Sequence, residues 1–221
     1  MSAQAPIKLD IDFVSDVVCP WCAVGLGSLE RALTELEDEV EAELHFQPFE
    51  LNPGLGPEGE DLFEHLAHKY GLSREQFEAN EQALVARGAA VGFTFNLDKR
   101  TRTYNSFDAH RLLHWAGVQG CQRALKHALL RAYFTAGEDI GSHAVLANAA
   151  ARAGLDPVEA RAVLATDRYA DEVRAHERHY QAQGIHSVPS IIVNGRYLIQ
   201  GGQPPEVFAQ TLRRIAAEAD A

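Results

Sequence analysis

From Ile7 to Phe13 every second residue is apolar, with Lys8, Asp10 and Asp12 between them. That is the period of a strand with one buried face. Pro20 then opens a run in which Trp21, Val24, Leu29, Leu33 and Leu36 recur at helical spacing, and proline suits a first helical turn because its missing N–H is not needed there. Ala42, Leu44 and Phe46 alternate again before a stretch rich in breakers, QPFELNPGLGPEG. Strand, helix and strand in about forty residues predict a βαβ unit with parallel pairing. From Asp61 to Gln183 the pattern turns helical. One helix begins at Asp61 and stops at Gly71, and Ser73 to Gln76 reads as a capping box for the next. Asn105 can cap a helix through His110 and Trp115, and Gln122 to Phe134 continues the helical material. Asp156-Pro157 marks another helix start, and a last helix in this stretch spans Asp167 to Gln183 before Gly184. The pattern then reverts: Val188 to Val193 is apolar and β-branched, Asn194-Gly195 is a two-residue hairpin signal, and Arg196 to Ile199 returns. Pro204-Pro205 precedes a final helix through Val207, Leu212 and Ile215.

Strands at both ends and helices between them predict a mixed α/β architecture. Residues 1–58 and 184–221 form one domain, and 59–183 form a helical domain inserted into it. The 221 residues carry 46% hydrophobic side chains, enough for a sizeable core, and a net charge of −11. That acidity leaves no surplus of Lys and Arg to neutralise phosphates, so nucleic acid and anionic membrane are excluded as partners. The acidic run Glu35 to Glu43 reads as a solvated helix end and turn. No apolar run reaches the roughly 18–20 residues of a membrane span. MSAQAPIKLDIDF has neither a basic nor an apolar leader region, which makes a cytoplasmic location the default expectation.

Three cysteines in a chain this long are not a disulfide scaffold. Two of them, Cys19 and Cys22, flank Pro20-Trp21 where the first strand meets its helix. A thiolate attacks a disulfide, and a helix N-terminus stabilises negative charge by ~0.3–1 kcal/mol when exposed and up to ~2 when partly buried. Cys19 is therefore expected to face solvent as the nucleophile, with Cys22 one turn inward as the resolving thiol. The βαβ and ββα halves around a CxxC resemble the thioredoxin fold. Oxidoreductases of that fold carry a cis-proline at the start of the third strand, which puts Val188-Pro189 beside the cysteines, with Val188 offering its backbone to substrate.

Four stretches sharpen the resemblance: Asp16 to Gly25 (DVVCPWCAVG), Phe46 to Pro53 (FQPFELNP), Asn105 to Leu112 (NSFDAHRL) and Val188 to Gly195 (VPSIIVNG). Through them nearly the whole chain resembles DsbA-family thioredoxin-like proteins of the FrnE type. These are related to kappa-class glutathione transferases and 2-hydroxychromene-2-carboxylate isomerases, which typically have serine near the place of Cys19. The resemblance implies dithiol–disulfide exchange under a helical insertion. Because the family's helical domain faces the site, the resemblance offers His110 with Asn105 as residues lining the groove over Cys19, with a satisfied interdomain histidine as the alternative for His110. The second, C-terminal cysteine pair of some FrnE-type proteins has no counterpart here, which weakens a disulfide-isomerase role.

The remaining residues leave alternatives open. Asp16 either holds its turn or relays a proton from the buried thiol. Trp21 and Pro20 either contact substrate or cover the helix end. Cys121 reads as a small apolar side chain at a helix start, with an intermolecular disulfide as the alternative. Zinc needs about four Cys or His ligands and the CxxC supplies two, while His110-Arg-Leu-Leu-His114 lacks the glutamate of an HExxH motif, so no metal is expected. The expected protein is a thiol–disulfide oxidoreductase acting on protein or low-molecular-weight thiols and disulfides. It would use a redox-active Cys19–Cys22 disulfide with no tightly bound cofactor, with glutathione as a candidate redox partner, as a monomer or homodimer. The alternative is a glutathione-dependent transferase or isomerase of a small aromatic substrate.

Overall fold

The alternation that opens the chain becomes strand β1, Ile7–Ser15, in a computed structural model that describes residues 5–219. Residues 1–4, where the leader reading begins, lie outside the described residues. Helix α1 (Pro20–Glu35) follows, then β2 (Val40–Pro48). β2 pairs parallel to β1 in the register Ile11 to Leu44 and Phe13 to Phe46. The returning strands β5 (Ser190–Val193) and β6 (Tyr197–Gln200) add antiparallel on the other side, giving the order β2-β1-β5-β6. Asn194 and Gly195 turn this hairpin with φ of +52° and +62°, the left-handed pair that a two-residue turn requires. Helix α9 (Pro205–Ala219) packs against α1.

Leu9, Ile11 and Phe13 of β1 join Ile191 and Val193 of β5 in the main core with Leu26 and Leu29 of α1 and Phe208 and Leu212 of α9. The opposite face is covered at one end, where Val14 and Ile192 pack with Tyr180 and Ile185. Burial on both faces explains why β5 reads as an unbroken apolar run rather than an alternation.

Between β2 and β5 lie β3 (Glu60–Asp61), α2 (Leu62–Tyr70), α3 (Arg74–Ala90), β4 (Arg102–Thr103), α4 (Phe107–Val118), α5 (Gln122–Arg131), α6 (His143–Arg152), α7 (Pro157–Leu164) and α8 (Ala170–Ala182). The Asp61 and Ser73 caps, the Gly71 stop at φ +68° and the Asp156-Pro157 start stand where the sequence puts them. Three details differ. Ser106, not Asn105, is the cap residue of α4, although Asn105 Oδ1 accepts the Phe107 N–H at 2.8 Å. α8 begins at Ala170 instead of Asp167. The buried Arg111 guanidinium there binds the carbonyls of Val163, Thr166 and Arg168 at 2.6–3.1 Å and draws the α7–α8 link into an arc. The two-residue ladder of β3 with β4 is too short for any sequence period; a Cβ on Gly59 before it would lie 2.2 Å from the Thr103 carbonyl. The insertion also covers the β2 edge at Phe46, where the Gln122 side chain donates to the Phe46 carbonyl at 3.0 Å and accepts the Phe46 N–H at 2.9 Å. Among the described residues no helix is long and apolar enough to cross a membrane.

Candidate active site

Cys19 occupies the cap position of α1, with Pro20 in the first turn. The loop before it is held by Asp16, which is fully buried. Its carboxylate accepts the Val18 N–H at 3.3 Å and the Leu51 N–H at 2.7 Å, and His110 Nε2 lies 3.4 Å away. Burial works to raise the Asp16 carboxyl, but His110, the Leu51 amide and Ser106 outweigh it and hold the group below its ordinary value. The carboxylate thus ties the turn carrying Cys19 to the segment leaving β2.

The Val188–Pro189 peptide bond is cis. The Val188 carbonyl faces the cysteine and accepts the Cys19 Sγ–H at 3.7 Å. The Pro189 ring lies against α1 one turn past Cys22: a Cβ on Gly25 would meet Pro189 Cγ at 2.9 Å and the Gly202 backbone at 3.3 Å. Glycine at 25 is therefore what lets the β5 entry and α1 approach closely. Both cysteines, and Cys121, are free thiols. Cys121 is half-buried, packed against the core at the cap of α5.

The structure corrects three expectations. Cys19 does not face open solvent; it is 4% exposed, shielded beneath Val188. It lines a groove of about 550 Å³. Cys19, Trp21 and Val188 form one side of that groove, and Leu66 of α2 with Phe77 and Leu84 of α3 form the other. His110 and Asn105 do not line this groove. His110 is buried with Nε2 on the Phe49 carbonyl at 3.1 Å as well as near Asp16, and Asn105 Nδ2 donates to the carbonyls of Pro53 and Leu55. Their polar atoms are consumed in joining α4 to the 49–55 segment. The Val188 carbonyl is also engaged by Cys19 rather than free. Trp21, by contrast, stands 41% exposed at the groove's edge, with the Arg87 guanidinium 5.9 Å from its ring centre.

Two charged residues at the site were not anticipated. Arg100 lies in the groove wall, 5.2 Å from the Phe134 ring centre and 3.4 Å from Glu81, with its Nε unpartnered. Lys126 of α5 is 1% exposed, one of the largest fully buried side chains, and Cys22, Asp16 and Cys19 act on its charge electrostatically. The signal for it was a lysine on the face of α5 that also carries Leu129 and Leu130. Burial pushes the Lys126 ammonium down, while the three acidic groups push the other way. Burial and then Cys19 push the fully buried Cys22 thiol well up, and Lys126 opposes them. No group of three or more His, Cys, Asp or Glu among the described residues is arranged to hold a metal ion.

A family model described as a DSBA-like thioredoxin domain matches residues 10–213. A crystal structure of a probable DsbA oxidoreductase from Streptomyces coelicolor is 38% identical and superposes with a TM-score of 0.87 over 93% of this chain and 89% of that one. The uncharacterized protein YwbO of Bacillus subtilis is 27% identical over 93% of this chain and 96% of its own. The fold extends to a 2-hydroxychromene-2-carboxylate isomerase at 12% identity, with a TM-score of 0.70 over 96% of this chain and 98% of that one. With a βαβ–ββα sheet, a CxxC at the head of α1 and a cis-proline opening β5, the chain belongs to the DsbA-like thioredoxin-domain family.

Proposed function

We propose that this protein is a thiol–disulfide oxidoreductase in which Cys19 is the nucleophile and Cys22 the resolving thiol. The observation that carries this reading is the position of Cys19: at the N-terminus of α1, lining a groove, with Cys22 fully buried one turn on. In the reducing direction the Cys19 thiolate attacks a substrate disulfide. A Cys19–S bond forms, the substrate S–S bond breaks, and one substrate sulfur leaves as a thiol. Cys22, deprotonated, then attacks Cys19 Sγ; the Cys19–Cys22 disulfide forms and the second substrate sulfur leaves. Two electrons pass from the dithiol to the substrate, and the reverse sequence oxidises a substrate dithiol. Pro20 starts the helix, Pro189 sets the distance of β5 from α1, and Trp21 meets the substrate together with Val188, whose carbonyl is released once Cys19 gives up its S–H proton. In the same reading residues 59–183 act as the inserted unit that roofs the groove, and the setting is cytoplasmic.

Replacement of Cys19 by Ser should abolish insulin reduction and dithiol oxidation. Cys22→Ser should accumulate Cys19 mixed disulfides visible by mass spectrometry. Full activity in Cys19→Ser would overturn the mechanism. The direction of electron flow is read from the Cys19–Cys22 reduction potential in a glutathione buffer. About −270 mV marks a reductant and about −120 mV an oxidant, a span of roughly 7 kcal/mol for two electrons.

Arg100 in the groove wall favours glutathione as a redox partner, since a small thiol carrying carboxylates would meet a cation beside the apolar surface of Leu66 and Phe77. Saturable glutathione binding that Arg100→Leu weakens tests this. Binding without any net thiol oxidation would instead favour the transferase or isomerase chemistry.

A further inference from the structure

Two arginines of this chain are buried alike and bonded very differently. Arg111 is 4% exposed, and each of its side-chain nitrogens is bonded. Nε and Nη2 reach Asp108 at 2.9 and 2.8 Å, and Nη1 binds the carbonyls of Val163, Thr166 and Arg168. Arg100, between α3 and β4, is 6% exposed. Among the described residues its side-chain hydrogen bond runs from Nη2 to Glu81 Oε1 at 3.4 Å, and its buried Nε has no partner. The Tyr133 and Phe134 rings, centred 5.8 and 5.2 Å from the guanidinium carbon, add cation–π attraction but no anion. A guanidinium offers five N–H donors, and burying its charge on one long bond is costly. Arg100 and Glu81 both line the groove that Cys19 lines. Lys69, the other full cation of that lining, is spent on the Leu51 carbonyl and Asn52 Oδ1 at 2.8 and 2.7 Å. Glu81 is the acidic side chain of the lining, and Arg100 does not hold it firmly: burial outweighs the guanidinium and, with Glu78 and Asp98, pushes the Glu81 carboxyl up.

We propose that Arg100 and Glu81 are the specificity pair of the groove: Arg100 receives a carboxylate carried by a low-molecular-weight disulfide, and Glu81 stands in for that carboxylate between turnovers. The inference rests on the exchange reading above and names its substrate class. A groove of about 550 Å³ suits a small molecule, and a carboxylate entering it can take two parallel N–H donors of one guanidinium, where Glu81 takes one at long range. Glu81 thereby acts as a selector. A neutral disulfide gains nothing by displacing it, while an anionic one replaces a long contact with a short one. The bond chemistry at Cys19 is unchanged, since the pair acts on where the substrate sits and not on the sulfurs.

The test sets two aromatic disulfides against the reduced full-length protein carrying Cys121→Ser. DTNB has a carboxylate on each ring, and dithiodipyridine is neutral at pH 7. The Cys19 thiolate attacks either one, a mixed disulfide forms, and one coloured aromatic thiolate leaves. The readout is the ratio of the two second-order rate constants, DTNB over dithiodipyridine, which cancels any change in the thiol itself. Arg100→Leu should lower this ratio about ten-fold or more, the scale of one charge-assisted hydrogen bond. Glu81→Gln should raise it about three-fold, as loss of a half-exposed competitor would. Arg87→Leu and Glu78→Gln remove the same charges from exposed positions outside the groove lining, and each should move the ratio by less than about two-fold. A ratio unmoved in Arg100→Leu and Glu81→Gln overturns the proposal, and so does a ratio moved as far by the two controls. Should Arg100→Leu not fold, Glu81→Gln against Glu78→Gln decides alone. Failure of Cys19 to react with either reagent would overturn the exchange reading and this inference with it; a normal dithiodipyridine rate with an insensitive ratio removes the inference alone.

Discussion

At the scale of single residues, the site depends on close approach as much as on reactive groups. Gly25 lies where α1 meets Pro189, and any Cβ there would press on the ring at 2.9 Å and on Gly202 at 3.3 Å. Gly25→Ala should therefore cost about 1–3 kcal/mol, the usual penalty for overpacking, although alanine is the better helix former. By pushing β5 away from α1 it should also lengthen the Cys19–Val188 contact and slow exchange. Urea unfolding and insulin reduction on the same preparation check both effects. The placement of Cys19 and Cys22 at the head of α1 and the cis bond before Pro189 were legible in the sequence because CxxC after a strand and proline before a β-branched run are local signals. The environment of Cys19 was not, because its 4% exposure depends on Val188, 169 residues away. His110 and Asn105 were placed at the groove by resemblance, yet their partners are backbone carbonyls of the 49–55 segment that no spacing rule reveals. Lys126 was missed for the converse reason: a charged letter on a helix face reads as solvent exposure by default.

Among the elements, those with strong end signals were legible and those fixed by distant side chains were not. The capping box of α3 is the plainest case, with Ser73 Oγ accepting the Gln76 N–H at 3.2 Å and Gln76 Oε1 accepting the Ser73 N–H at 2.9 Å. Leu84 and Gly88 are the buried residues of α3, so this helix has little packing to rely on. Ser73→Ala should cost about 1 kcal/mol and loosen amide protection over the first turns of α3 in hydrogen exchange. Because Phe77, Asn80 and Glu81 of those turns line the groove, KM for protein disulfide substrates should rise while the alkylation rate of Cys19 by iodoacetamide is unaffected. The start of α8 shows the opposite situation. Its helical letters continue back to Asp167, but Arg111 binds the Thr166 and Arg168 carbonyls and Tyr169 takes a left-handed φ of +64°, so the helix begins only at Ala170.

For the whole molecule, both the outline and the acidity follow from the chain's pattern, while its response to pH comes from burial. The carboxyls of Asp16 and Glu30 are held below their ordinary values despite burial, chiefly by His110 and His127 respectively. A carboxyl depressed on folding contributes stability that is fully present above its unfolded value of about 4 and is lost as pH falls through the folded one. Asp16→Asn should thus destabilise the protein by about 2 kcal/mol at pH 7, and the gap from wild type should shrink below about pH 4. Urea titrations at pH 7 and pH 3 measure the difference. The sheet order has a last consequence, for how the protein is made. β1 is central, yet its β5 neighbour is encoded nearly 180 residues later, with Asn194 facing Asp10 across 184 positions. At a synthesis rate of ~5–20 residues per second, β1 waits on the order of ten to forty seconds on the ribosome with one edge unpaired. Through that interval Cys19 and Cys22 have been translated and Val188-Pro189 has not. A chain stalled before residue 188 would carry the two thiols without a site, and an open strand edge that invites aggregation or a chaperone.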